Sequence, residues 1–256
     1  MCIRDSPRHL QALGRIHDAG QAHAAVETAV KLFDRVNLDL MYALPGQTLD
    51  EVAADLAAAL DYRPAHLSVY HLTLEPNTAF AAHPPRLPDE DLAADMQALV
   101  EATLGAAGYE HYETSAYALP GRRCHHNLNY WQFGDYLGIG AGAHSKLSLH
   151  DRIVRQARVK HPRQYLELAG TPQALAETRR VDRHDLPFEF MMNALRLNAG
   201  FVKELFTART GLPLSAVARA LAKAEAQGLL TQDATHIRPT ERGRRYLNDL
   251  LQLFLD

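Results

Sequence analysis

In the stretch AHAAVETAVKLFDRV, apolar residues fall at helical spacing (Ala25, Val26, Ala29, Val30, Phe33), and NLDLMYALP follows as a short apolar run bounded by Asn and Pro. The first pattern predicts an amphipathic helix and the second a buried strand. Thr48, with Glu51 three residues on, makes a capping box, so a helix is predicted to open at LDEVAADLAAALDY. AHLSVYHLTL, rich in β-branched and aromatic residues, predicts the next strand. PNTAFAAHPPRLP reads as a Pro-rich loop ending at Asp89, the predicted N-cap of EDLAADMQALVEATLGAAG. Gly108 closes that helix, and YEHYETSAYA predicts a further strand. Strands separated by single amphipathic helices imply βαβ units and a parallel sheet, with ligands at the carboxyl ends of the strands. Asp39 and Tyr42 are expected near one such end, and Thr73, Glu75 and Ser115 near others.

After about residue 180 the pattern turns helical: LPFEFMMNALRL, then two helices around TGLPLS, a short hairpin and a final helix. That order predicts a winged helix-turn-helix. The expected fold class is α/β, with residues 7–175 as one part and a winged-helix-like domain over 176–256. The opening MCIRDS is the peptide that a common sequencing-adaptor end encodes when read through into a gene fragment. Residues 1–6, Cys2 included, are therefore expected to be foreign to the fold, and the natural protein to extend upstream.

Composition narrows the function classes. The chain has 256 residues, 47% hydrophobic and 22% charged, with a net charge of −3. Such a balance gives no basic field to attract nucleic acid or an anionic membrane. No apolar run approaches the roughly 18 residues that span a bilayer. Two cysteines, Cys2 and Cys124, make no disulfide framework, so a reducing cytoplasm is expected.

The densest chemistry lies in RRCHHNLNYWQFGDYLGIGAGAHS, residues 122–145. GIGAGA formally matches the dinucleotide fingerprint, but no convincing helix comes after it, as phosphate binding there requires. Its glycines are expected to allow close backbone approach to a ligand or a strand. Cys124, His125 and His126 are adjacent, so their side chains diverge, and even with His144 they lack the paired spacing of a zinc site. A non-covalent haem needs only one imidazole beside an aromatic wall, and His126 with Tyr130 and Trp131 supplies those parts. On the residues alone a satisfied structural histidine is the favoured reading. Asp39 and Arg15 fit either ribose and carboxylate recognition or a plain ion pair.

Three segments, NLDLMYALPGQT, LTLEPNT and HNLNYW with GDYLGIGAGAHS, resemble the radical-SAM group of oxygen-independent coproporphyrinogen III oxidase-like proteins, in particular its haem chaperones. The resemblance runs from residue 7 to 256. It implies an incomplete radical-SAM (β/α) barrel with a C-terminal helical, winged-helix-like domain, and haem, S-adenosylmethionine and a [4Fe–4S] cluster as cofactors. His126 falls on the histidine of the family's HNxxYW motif and is implied as the haem axial ligand, with Tyr130 and Trp131 as aromatic neighbours and Asn127 beside them. Arg15, Asp39, Thr73 and His144 fall on positions implied to contact S-adenosylmethionine. The implied partners are haem and an acceptor protein, with transient contact to a membrane or respiratory protein.

The departures are specific. The family's C-x-x-x-C-x-x-C motif and its Gly-rich strand are absent, and Ala43 stands where many members carry Gly. Cys124 alone cannot replace three thiolates, so no radical chemistry is expected of these 256 residues, and one sheet edge is expected to be open. Two rival functions remain: coproporphyrinogen oxidation proper, and DNA binding through the winged helix. Against the latter, PLSAVARALAKAEAQ offers only Arg219 and Lys223, opposed by Glu225.

Overall fold

The computed structural model describes residues 7–76 and 78–255; the reading of residues 1–6 as foreign lies outside them. The chain forms two compact units, one running to Cys124 and the other from His125.

The first unit comprises α1 (Pro7–Ala12), α2 (Ala19–Leu32), β1 (Asn37–Tyr42), α3 (Leu49–Asp61), β2 (His66–His71), α4 (Ala79–Ala82), α5 (Glu90–Ala106), β3 (Glu110–Glu113) and β4 (Ala116–Ala118). The predicted starts are realised by side-chain chemistry. Thr48 Oγ1 accepts from the Glu51 amide while Glu51 returns a bond to the Thr48 amide, and Asp89 caps α5 through the Leu92 amide. Gly108 takes φ 85° after α5, a turn open to Gly without strain.

The sheet departs from expectation. Strand order is β1-β2-β4-β3, and only β1 and β2 are parallel. The single strand expected over 109–118 is a hairpin, β3–β4, whose second arm runs antiparallel to β2. Sequence periodicity could not find this turn, because Thr114 and Ser115 interrupt the run without a Gly or Pro. A one-turn helix, α4, also lies inside the expected loop. The outer edge of β1 pairs with no strand among the described residues.

The register divides this sheet into two chemically distinct faces. Leu38 and Leu40 of β1 stand beside Leu67 and Val69 of β2 and pack with Val52, Leu56, Met96, Val100 and Leu104. The other face carries Asn37, Asp39 and Met41 opposite His66, Ser68 and Tyr70. Alternation along each strand makes one face core and the other polar.

The second unit comprises α6 (His125–Trp131), β5 (His144–Ser148), β6 (Ile153–Arg158), α7 (Pro162–Leu168), β7 (Leu175–Arg180), α8 (Leu186–Ala194), β8 (Phe201–Val202), α9 (Lys203–Thr210), α10 (Ala218–Ala226), β9 (Leu230–Gln232), β10 (His236–Pro239), α11 (Glu241–Arg245) and α12 (Leu247–Gln252). β5-β6-β7 form an antiparallel sheet, and β8-β10-β9 form the wing behind α9 and α10. The predicted winged helix is therefore present. Phe190 of α8 anchors this core, with the rings of Phe133, Phe201 and Phe206 edge-on at 5.8, 5.0 and 5.2 Å.

Candidate functional site

α6 turns HHNLNYW into a short helix, which places His126 and Tyr130 four residues apart on one face. Their rings meet edge-on at 4.8 Å, and Tyr130 stacks on Tyr136 at 4.2 Å. His126 is exposed, and its ring makes no hydrogen bond among the described residues. Asn127 and Trp131 form the adjacent i, i+4 pair. The Trp131 indole lies under the Arg196 guanidinium at 5.0 Å, and its Nε1 is buried without a hydrogen-bond partner among the described residues. Thus His126, Tyr130 and Trp131 share one short helix.

Buried contacts hold the loop after α6. Lys146 is almost fully buried, and its ammonium donates at 3.0 Å to the Phe133 carbonyl, Asp135 Oδ1 and Ser148 Oγ. Burial holds the Lys146 pKa below the ordinary lysine value, against the pull of Asp135. Burial pushes the Asp135 carboxyl up, but the Ser148 amide and hydroxyl and Lys146 outweigh it and bring it below the usual range. Gly134 and Gly138 lie so close to Asn129 and to the His144 backbone that a Cβ would overlap them. In GIGAGA the expected close approach is therefore made by Gly138 against the His144 backbone. Strand β5 comes directly after GIGAGA, with no helix to receive a pyrophosphate.

A charged network supports the aromatic pair from behind. Arg155 donates through Nη1 to the Tyr136 hydroxyl at 3.1 Å and through Nε to Glu189 Oε2 at 2.8 Å, with a second, shorter contact through Nη2. Arg179 holds the other Glu189 oxygen at 3.0 Å. Sequence reasoning missed Lys146, Asp135, Arg155 and Glu189. Glu189 within an otherwise apolar LPFEFMM run was the available signal, since a charge on a buried helix face needs a partner.

The positions matched to S-adenosylmethionine are distributed over both units. Arg15 lies exposed between α1 and α2; Asp39 and Thr73 belong to the first unit as well, and His144 opens β5 in the second. Asp39 is not at the strand end: it is the third of six residues in β1, half-buried on the polar face. There Asn37 Nδ2 donates to Asp39 Oδ1 at 2.8 Å, while Asn37 Oδ1 accepts from His66 Nδ1 at 2.6 Å and Ser68 Oγ at 3.1 Å. His66 Nε2 in turn accepts from the Tyr112 hydroxyl at 2.8 Å, and burial lowers the His66 pKa. The neutral ring with its proton on Nδ1 satisfies both bonds. Thr73 lies two residues past β2, its hydroxyl on Glu75 Oε1 at 3.1 Å.

Among the described residues no three His, Cys, Asp or Glu are grouped to hold a metal ion, and no helix is long and apolar enough to cross a membrane.

Comparison with known proteins extends this picture. Residues 181–246 match the model of the HemN C-terminal domain. The chain is 47% identical over 252 residues to the heme chaperone HemW of Escherichia coli, covering 98% of this chain and 66% of that protein. It is 47% identical over 248 residues to HemW of Haemophilus influenzae, covering 96% and 64% respectively. HemW of Mycobacterium tuberculosis is 36% identical over 260 residues, covering 98% and 63%. A solved structure described as "Coproporphyrinogen III oxidase (HemN) from Escherichia coli is a Radical SAM enzyme" matches with TM-score 0.77 at 21% identity, over 99% of this chain and 63% of that one. The chain thus spans just under two thirds of the length of these relatives. With 47% identity to HemW of Escherichia coli over 98% of its own residues, the chain belongs to the HemW family, and its fold is that of the HemN structure.

Proposed function

We propose that this chain carries the haem-binding part of a cytoplasmic haem chaperone, which holds haem through His126 and passes it to an acceptor protein. The observation that carries the reading is His126 itself. Its imidazole is exposed, uses neither ring nitrogen in a hydrogen bond among the described residues, and stands against an aromatic stack. A buried structural histidine has its nitrogens bonded within the protein, as His66 has, whereas the exposed His126 ring faces solvent, where a ligand can reach it. Haem fits this residue set: one available imidazole for the iron, Tyr130 and Trp131 for the macrocycle, and Asn127 beside them. When bound, haem is the cargo. His126 would hold the iron, and Tyr130 and Trp131 would orient the macrocycle beside it.

Asp39 sits on a polar sheet face with a preorganised neighbour, which suits a ribose hydroxyl of S-adenosylmethionine. Arg15, Thr73 and His144 are assigned to the same ligand in the complete protein. The [4Fe–4S] cluster does not fit this chain's residues, because Cys2 and Cys124 are its only cysteines and three thiolates are needed. Transient contact with a membrane or respiratory protein would belong to the delivery step.

The test is a haem titration followed in the Soret region, with His126→Ala and His125→Ala in parallel. Loss of the ligated spectrum in His126→Ala alone is expected. Equal spectra from wild type and His126→Ala would remove the axial-ligand assignment.

A further inference from the structure

We propose that the pocket between β5–β6, the 180–186 segment and the end of α9 is a binding site for a compact, multiply charged oxyanion. The pocket has a volume of about 420 Å³, within the range of small-ligand sites. Four arginines line it (Arg152, Arg180, Arg183 and Arg209) against one carboxylate, Asp151. Asp151 is already taken: both its oxygens accept from Arg152 Nη1 at 2.9 Å. Arg180 reaches only the Asp151 carbonyl, at 3.5 Å, and Arg183 and Arg209 make no hydrogen bond or ion pair among the described residues. Three guanidinium groups are thus uncompensated around one concavity, in a chain whose net charge is −3.

Clustered guanidinium groups around a concavity raise the local positive potential, which draws in an anion. Planar guanidinium groups bind phosphate or carboxylate oxygens bidentately, which gives this arrangement its ligand chemistry. The field extends beyond the pocket: Arg209 and Arg155 both help hold the Lys146 ammonium below its ordinary pKa, after burial. Buried Ile153, Val181 and Leu186 give the pocket an apolar floor, with the arginines at its rim. Besides Asp151, the C-terminal carbonyls of α9 oppose an anion here, and Arg209 stands in that last turn. A pocket, rather than a flat patch, selects a small anion over a macromolecular surface.

Pyrophosphate and citrate are the probes, one for phosphoester and one for polycarboxylate ligands, titrated calorimetrically into the chain at constant ionic strength. One-site saturation by at least one probe is expected, with affinity reduced at least tenfold in both Arg183→Ala and Arg209→Ala. Arg163→Ala, at an exposed position on α7, is expected to bind as wild type. The two pocket variants remove side chains without structural bonds, so their melting temperatures should match wild type and report intact folding. Three results overturn the proposal: no saturable binding by either probe, an equal loss in Arg163→Ala, or binding of poly-glutamate at these arginines with neither small anion bound. None of them bears on His126, whose test stands separately.

Discussion

Replacing Glu189 with Gln tests whether the buried charge network holds the second unit together and shapes the aromatic wall beside His126. The carboxylate is 11% exposed and accepts from Arg155 through two nitrogens and from Arg179 at 3.0 Å. The Glu189→Gln change would keep the volume but leave two guanidinium groups facing a neutral amide whose NH2 end repels one of them. Removing one partner of a fully buried pair costs about 3–5 kcal/mol. Arg155 is 27% and Arg179 46% exposed, so solvent screens part of that loss, and about 2–3 kcal/mol is the appropriate expectation. At about 3 °C per kcal/mol for a unit of this size, the transition should fall by about 6–9 °C. The assay is thermal unfolding by circular dichroism, with the near-ultraviolet tyrosine signal followed separately. Arg155 also holds the Tyr136 hydroxyl, so the signal of the Tyr130–Tyr136 stack should weaken below the main transition. The double variant Glu189→Leu with Arg155→Met should recover most of the stability, because a packed apolar pair replaces the buried charges. A drop below about 2 °C in Glu189→Gln, or no recovery in the double variant, would refute this reasoning.

Other perturbations probe the remaining supports. Lys146→Met removes three bonds from a buried ammonium while keeping its stem, and should cost about 2 kcal/mol in urea unfolding. Gly138→Ala places a methyl into the His144 backbone and should cost about 3 kcal/mol or more. Gly140→Ala, at φ 113° with open space around it, should cost only about 1–2 kcal/mol of backbone strain; similar losses in a urea titration would contradict the close-approach account. Burial lowers the His66 pKa, so near pH 6 the unfolded chain binds more protons than the folded one. Its contribution is therefore present above about pH 6.5 and is lost as pH falls below that value. The urea midpoint should drop from about pH 7.5 to about 5.5 in wild type and drop less in His66→Gln; identical slopes would count against it.

Capping pairs and periodicity were enough to predict α3, α5, β1, β2 and the winged helix. Their signals are local: Thr48 with Glu51, Asp89 just ahead of its helix, and apolar residues at fixed spacing. The family resemblance likewise rests on contiguous motifs, HNLNYW above all. The hairpin at 110–118 was not legible, because whether one run is one strand or two depends on pairing with β2, which lies about forty residues away. The same holds at the site. The sequence by itself determined that His126, Tyr130 and Trp131 lie within six consecutive residues; the structure adds that one seven-residue helix carries them. Only the tertiary structure decided that Tyr136 stacks on Tyr130, that Lys146 clamps the loop, that Glu189 reaches Arg155 thirty-four residues away, and that four arginines from separate elements face one pocket. A charge shows its need for a partner in the sequence, but the choice of partner depends on which backbones the folded core brings together.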